Sequence, residues 1–324
     1  MRVGINGRHL GTGKTGVGRY LLSLLRVWGT EARKHEFVVY LSRETLDDED
    51  RAVAGNPNIR IRRLPRPAGL PFPLWYNTVL PWAMHHDRIE IFFSGDYFCP
   101  IWLPRGMRRT LSVHDVSYLT RPQEFPWSYR MYGIVNSRWP GRHADAVFTI
   151  SQFQQHEVVR SLGIPNDRVH VTPLGVDERF RPGSAHEGNN PYFLFVGTFF
   201  NRRHVLESIQ AFATVVERTR HGTVRFLLRG RNETRPHQDL EGEAARVNLR
   251  LGREAVVLLP YTDDEALIAL YQGATAFLYP STYEGFGLPV LEALACGTPT
   301  VTVRATSIPE VAGDAAVYVD PKDP

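Results

Sequence analysis

Short apolar runs alternate with stretches of helical spacing from one end of this 324-residue chain to the other, and few folds accept that pattern. An apolar run between polar residues suits a strand buried on both faces. A helical segment between two such runs lets them lie parallel, with the crossover packed on the sheet. The strands expected in the first half are Val3–Asn6, Phe37–Leu41, Ile59–Arg62, Ile89–Phe93, Thr110–Val113, Ala146–Ile150 and Val169–Thr172. Helices are expected at Val17–Trp28, Trp127–Arg138 and Gln152–Ser161. Ser151 and Gln154 open the last of these as a capping-box pattern, in which each side chain takes up an orphan amide.

A polar stretch rich in Gly and Pro, residues 179–191, interrupts the alternation as a linker does. It then resumes with strand Tyr192–Val196, helix Val205–Val216, strand Val224–Leu228, a helix near Leu240–Leu249, strand Val256–Leu259, helix Asp264–Gln272 and strand Ala276–Tyr279. The expected organisation is an N-terminal domain over residues 1–178, the linker, and a C-terminal domain over 192–324. Each is an α/β, Rossmann-like, doubly wound sheet, the two facing a central crevice that takes a ligand at the strand carboxyl ends. An apolar content of 43 % supplies two cores.

The most specific chemistry follows strand Ala276–Tyr279. The segment Ser281-Thr-Tyr-Glu284-Gly285-Phe286-Gly287-Leu288-Pro289-Val-Leu-Glu292 leads through a glycine-rich loop into a helix. Pro289 sits where a missing N–H costs nothing, and Gly297 closes the helix. Backbone amides at such a helix start bind phosphate, and glycines let a ligand come close. Glu284 and Glu292 then flank the phosphate, placed to hold hydroxyl groups on either side, as in a nucleotide sugar. This cassette resembles the Glu-x7-Glu motif of retaining glycosyltransferases of the GT-B type, in particular the large bacterial family 4. Pro280-Ser281 and the Gly-Phe-Gly-Leu-Pro between the acids match as well as the spacing. An ordinary strand–loop–helix would share the spacing of the acids but not the whole cassette.

Other segments extend the resemblance from about residue 3 to 321. Gly197-Thr-Phe-Phe-Asn-Arg202-Arg203-His204 is similar to the family's Gly-Thr-x-x-x-Arg-Lys-Asn, whose two cations neutralise the donor diphosphate. Arg203 stands in the lysine position, where a guanidinium can hold phosphate oxygens bidentately. Phe200 and His204 depart from the pattern. His114-Asp115, after strand Thr110–Val113, resembles the family's His-Asp, which implies that His114 meets the donor sugar near the reacting carbon. Gly16-Val-Gly18-Arg-Tyr20 resembles the loop whose backbone amides face the diphosphate and the acceptor. The same stretch imitates a Walker A loop ending in Lys14-Thr15, but residue 8, where that loop needs glycine, is Arg. It also imitates a dinucleotide fingerprint through Gly11, Gly13 and Gly16, set too far from its strand. In the family the strand at Val317–Val319 is followed by further helices, so the resemblance implies a chain cut short of them.

Composition narrows the partners. The net charge of +4 is uneven: 23 Lys+Arg against 17 Asp+Glu up to residue 178, then 15 against 17. A basic first half suits an anionic acceptor or membrane surface. Pro71–Trp82, aromatic and preceded by the basic Arg60–Arg66, reads either as an interfacial patch for a lipid-linked acceptor or as a helix packed on the first sheet. Arginine outnumbers lysine 35 to 3, yet no nucleic-acid module signature appears. Cys99 and Cys296 are the only cysteines, too few for a disulfide framework or a cysteine zinc site. No apolar run approaches the roughly 20 residues that span a bilayer, and Met1–Asn6 reads as a strand, not a signal peptide.

The expected protein is thus a cytoplasmic enzyme, peripheral to the inner membrane surface. It would move a hexose from a nucleotide-diphosphate sugar, GDP-mannose as the first guess, to a sugar or lipid-linked acceptor hydroxyl, with retention and with no metal or cofactor. The expected catalytic residues are Glu284 and His114. Donor binding falls to Arg202, Arg203, Gly285, Phe286, Gly287, Leu288, Glu292, Gly16 and Gly18. A non-catalytic nucleotide-sugar-binding protein and a GT-B-fold nucleotide-sugar epimerase are the alternatives.

Overall fold

The structure is a computed structural model describing residues 1–11, 16–42, 46–183, 191–219, 223–260 and 262–320. Gly13 and Lys14, on which the two phosphate-loop patterns turn, lie outside the described residues, as does most of the expected linker. By their contacts the residues divide into two compact units. One comprises Met1–Thr120, Trp127–Thr149 and Gln155–Thr172; the other comprises Arg121–Pro126, Ile150–Gln154 and Pro173–Pro324.

The first unit carries seven strands: β1 Arg2–Asn6, β2 Glu36–Leu41, β3 Ile59–Arg63, β4 Ile91–Ser94, β5 Arg108–Ser112, β6 Ala146–Thr149 and β7 Val169–Val171. Their order is β3-β2-β1-β4-β5-β6-β7, with every pair parallel. Strand β2 shows why the run had to be apolar throughout. Phe37, Val39 and Leu41 pack with Leu21, Leu22 and Leu25 of the helix Gly16–Glu31, while Val38 and Tyr40 face Trp75, Tyr76 and Leu80 on the opposite side. A period of two with both faces covered leaves no polar position. The aromatic stretch after Pro71 is therefore a packed helix, Phe72–His86, though Leu74 and Trp82 stay exposed.

The second unit repeats the plan with six strands: β8 Tyr192–Val196, β9 Arg225–Arg229, β10 Val256–Leu259, β11 Ala276–Tyr279, β12 Thr300–Val303 and β13 Val317–Val319. The order is β10-β9-β8-β11-β12-β13, again all parallel. Phe195, Phe199, Phe226, Phe277, Tyr279 and Tyr271 fill its centre. In each unit the winding reverses between the first and fourth strand, β1 and β4 or β8 and β11. Chain leaving the carboxyl ends of those two neighbours splays apart there, which makes room for a ligand. Among the described residues no helix is long and apolar enough to cross a membrane.

Candidate functional site

In the second unit, the residues after β8 and those after β11 meet at the point where the winding reverses. After β8, Gly197 has φ +132° and Asn201–Arg203 form a single 3-10 turn before the helix Val205–Thr219. The close approach of the β9 end explains a neighbouring glycine: a Cβ on Gly230 would stand 2.0 Å from the Gly197 carbonyl oxygen. After β11, the chain runs through Ser281–Gly287 into the helix Leu288–Ala295. Gly287 caps that helix with φ +104°, no side chain caps its amides, and proline stands in its first turn as the sequence predicts.

Arg203 and Glu284 come from these two loops and join in a bidentate pair. Arg203 Nε donates to Glu284 Oε1 at 2.7 Å and Nη2 to Oε2 at 3.0 Å, while Nη1 donates to the Thr198 carbonyl at 2.8 Å. Tyr279 and Ser281 hydroxyls add bonds to Glu284 Oε1 at 2.9 and 2.8 Å. Burial alone would push the Glu284 pKa up. The Arg203 charge and its hydrogen bonds, with Arg202 and Ser281, outweigh that and hold the carboxyl below its ordinary value of 4.5. Burial also lifts the Tyr279 hydroxyl far above its usual range, so it stays a donor.

Arg202 is buried. Its guanidinium lies 4.2 Å from the Phe200 ring centre, bonds the Glu124 carboxylate, and donates from Nε to the Tyr283 carbonyl at 3.2 Å. Phe200, a departure from the motif when read as sequence, is thus the surface on which both arginines rest. Glu292 points inward from its helix and accepts from the Tyr271 hydroxyl at 3.0 Å.

The loop between the acids is braced by residues that the sequence did not single out. Ser307, fully buried, has one hydroxyl proton to share between the carbonyls of Glu284 and Phe286, at 2.8 and 3.0 Å. Thr306, at φ +52°, accepts from the Glu284 amide at 3.0 Å, and Ser151 donates to the Gly285 carbonyl at 2.7 Å. The capping box at Ser151 is half of what its pattern predicts. Ser151 Oγ accepts from the Gln154 amide at 3.1 Å, but the buried Gln154 side chain has no hydrogen-bond partner among the described residues. Glu310 has taken its place, with its carboxylate accepting from the amides of Gln152 and Phe153 at 2.7 and 2.8 Å. A capping signal read within one segment cannot foresee a better acceptor arriving from another.

In the first unit, Gly16 opens its helix with no described residue near its Cβ position, and Gly18 is buried a half-turn later. His114, after β5, donates from Nε2 to the Gly95 carbonyl at 2.7 Å and meets the Tyr20 ring edge-on at 4.7 Å. Burial lowers its pKa from the ordinary 6.5, against the raising effects of Gly95 and Asp96, so the ring is neutral at pH 7. Sequence reading missed the cluster beside it. Asp96, after β4, accepts from His9 Nε2 at 2.6 Å, from Ser94 Oγ at 2.9 Å and from the Phe98 amide at 3.0 Å, with Arg8 Nε at 3.4 Å. No motif marks these residues; only their position after β1 and β4 does. Among the described residues no group of three or more His, Cys, Asp or Glu is placed to hold a metal ion.

Two family models match the chain: one described as glycosyltransferase family 4 over residues 14–180, and one described as glycosyl transferases group 1 over residues 176–324. O-antigen chain mannosyltransferase B of Escherichia coli is 28 % identical over 327 residues, covering 95 % of this chain and 84 % of the relative. Among solved structures, sucrose-phosphate synthase from Thermosynechococcus elongatus superposes with a TM-score of 0.74 at 18 % identity, covering 100 % of this chain and 86 % of that one. Anabaena HepE in complex with UDP-glucose gives 0.66 at 19 % identity, covering 96 % and 82 %.

Proposed function

The chain belongs to glycosyltransferase family 4 and is a glycosyltransferase; from that premise we propose that it transfers a hexosyl group from a nucleotide-diphosphate sugar to an acceptor hydroxyl, with retention at the anomeric carbon. The bond from that carbon to the diphosphate oxygen breaks and the diphosphate leaves with the electron pair. The acceptor oxygen forms the new bond, and its proton passes to the departing phosphate. GDP-mannose is the first donor to try, because the E. coli relative is named a mannosyltransferase. The same name favours a role in cell-surface polysaccharide or glycolipid synthesis. The acceptor is then a sugar or lipid-linked sugar, met in the cytoplasm at the inner membrane surface.

The observation that carries this reading is the Arg203–Glu284 pair beside a helix start that no side chain caps. Arg203 and the amides at Gly287 and Leu288 stabilise the charge growing on the leaving diphosphate, and Arg202 adds its charge from the buried pair with Glu124. One such prearranged donor is worth roughly 3–4 kcal/mol in a transition state. Glu284, with Gly285 and Phe286, orients the sugar, and Glu292 holds the ribose. His114, uncharged, offers the sugar a hydrogen bond, and the amides at Gly16 and Gly18 serve the diphosphate.

Calorimetry on Arg203→Ala tests the assignment. The variant, once shown by its melting curve to be folded, is expected to bind a nucleoside diphosphate at least about tenfold more weakly. Its affinity for the bare nucleoside should be unchanged, and equal losses for the two ligands would rule out a phosphate contact.

A further inference from the structure

The helix Trp127–Arg142 is built inside out. The residues it buries are small: Gly133, Ser137, Pro140 and Gly141. Tyr118 lies so close over Gly133 that a Cβ there would stand 2.8 Å from its ring, and the Tyr118 hydroxyl donates to Ser137 Oγ at 2.6 Å. The large apolar residues face the other way. Trp127 is 73 % exposed and Val135 56 %, and Met131 and Trp139 are exposed as well. A helix at a water-facing surface carries its large apolar residues inward, so this orientation leaves a surface that water alone does not suit.

The surface continues beyond the helix. The Arg109 guanidinium lies 4.9 Å from the Trp139 ring centre and donates from Nη2 to the carbonyls of Pro100 and Ile101, at 3.0 and 2.9 Å. That holds the exposed Ile101 and Trp102 beside Trp139. The Ile101 amide in turn donates to Asn77 Oδ1 at 2.7 Å, on the helix whose Leu74 and Trp82 are exposed. Positive charge predominates here, with Asp145 beside the Arg109 amide, at 2.7 Å, as the neighbouring carboxylate. The helix carries Arg130, Arg138 and Arg142 and no Asp or Glu, and Arg105 before β5 and Arg108 at its first position are exposed.

We propose that this face of the first unit docks on the surface of an anionic lipid bilayer, with Trp127, Met131, Val135 and Trp139 entering the headgroup boundary and the arginines meeting lipid phosphates. Exposed tryptophans ringed by arginine suit that boundary, where one end of each side chain is apolar and the other wet. Self-association through the same face would bring arginine against arginine with no carboxylate on the helix to meet them. The proposal gives a surface to the peripheral contact in the reading above. It rests on that reading for nothing else, and it does not need the transfer chemistry.

Sedimentation with vesicles tests it on the whole chain, without donor or acceptor. Vesicles of phosphatidylcholine with added phosphatidylglycerol should bind the protein at least about tenfold more tightly than phosphatidylcholine alone, and less so as salt rises. The double substitution Met131→Glu, Val135→Glu should lower that binding at least about tenfold, leaving the melting temperature and transfer to a water-soluble acceptor unchanged. Arg138→Glu leaves the apolar stripe in place and should weaken binding to the anionic vesicles alone, which keeps the test open should the double variant fail to fold. Equal binding to both vesicle types, no binding to either, or full binding by both variants would overturn the proposal. So would a concentration-dependent dimer that the double variant abolishes while the native chain ignores vesicles. A chain that binds vesicles but turns over no donor would instead refute the transfer reading and leave this one standing.

Discussion

Glu284 is a carboxylate kept charged by its neighbours against the pull of burial, and that balance has a consequence for stability. Its folded-state pKa lies below the ordinary 4.5, so the unfolded chain binds a proton that the folded one releases. The stability this contributes is present in full above about pH 4.5 and is lost as pH falls through the folded value. Glu284→Gln strips one partner from a pair whose side chains are 12 % and 10 % exposed. It is expected to cost about 3 kcal/mol at neutral pH, because Arg203 is left buried without its counter-charge. The gap between native and variant should narrow as the solution is acidified below that threshold. Urea titrations at several pH values would show it, and a pH-independent gap would mean that the pair contributes through shape alone.

The element that makes the site is the turn from β11 into the helix Leu288–Ala295, and Gly287 is its hinge of necessity. A φ of +104° is open to glycine and strained for any L side chain. Gly287→Ala is expected to lose about 1–3 kcal/mol, mostly from the backbone. The Ile308 side-chain end, 2.8 Å from the added Cβ, can move aside at smaller cost. Gly16→Ala is the contrast: its Cβ would meet nothing among the described residues, so the same substitution at a helix start should be neutral or stabilise by up to about 1 kcal/mol. Thermal melting of the two variants separates them, and similar losses would contradict the strain argument. The β11 turn was legible in the sequence because its signals are local: an apolar run, two glycines, a proline where a helix begins. The helix Trp127–Arg142 was legible only as a helix. Its spacing says nothing of which face is buried, and the face with Gly133 and Ser137 won because Tyr118 fills the space above it.

At the scale of the molecule, one topology serves twice, and its two reversal points gather different chemistry: Arg203 with Glu284 in one unit, Asp96 with His9 beside His114 in the other. Thermal shift across nucleotide sugars tests the use of the first. At a hundred times its dissociation constant, the true donor adds about 2.7 kcal/mol of stability. GDP-mannose is expected to raise the melting temperature more than UDP-glucose or mannose alone; no shift with any nucleotide sugar would count against a donor site. The sequence by itself determined the repeated strand and helix pattern, the glycine and proline of the turn after β11, and the family, since each is written in residues close together in the chain. Tertiary structure alone decided which charges meet. Arg203 and Glu284 lie 81 residues apart, and they pair because crossover packing sets β8 beside β11, an arrangement that no local spacing encodes.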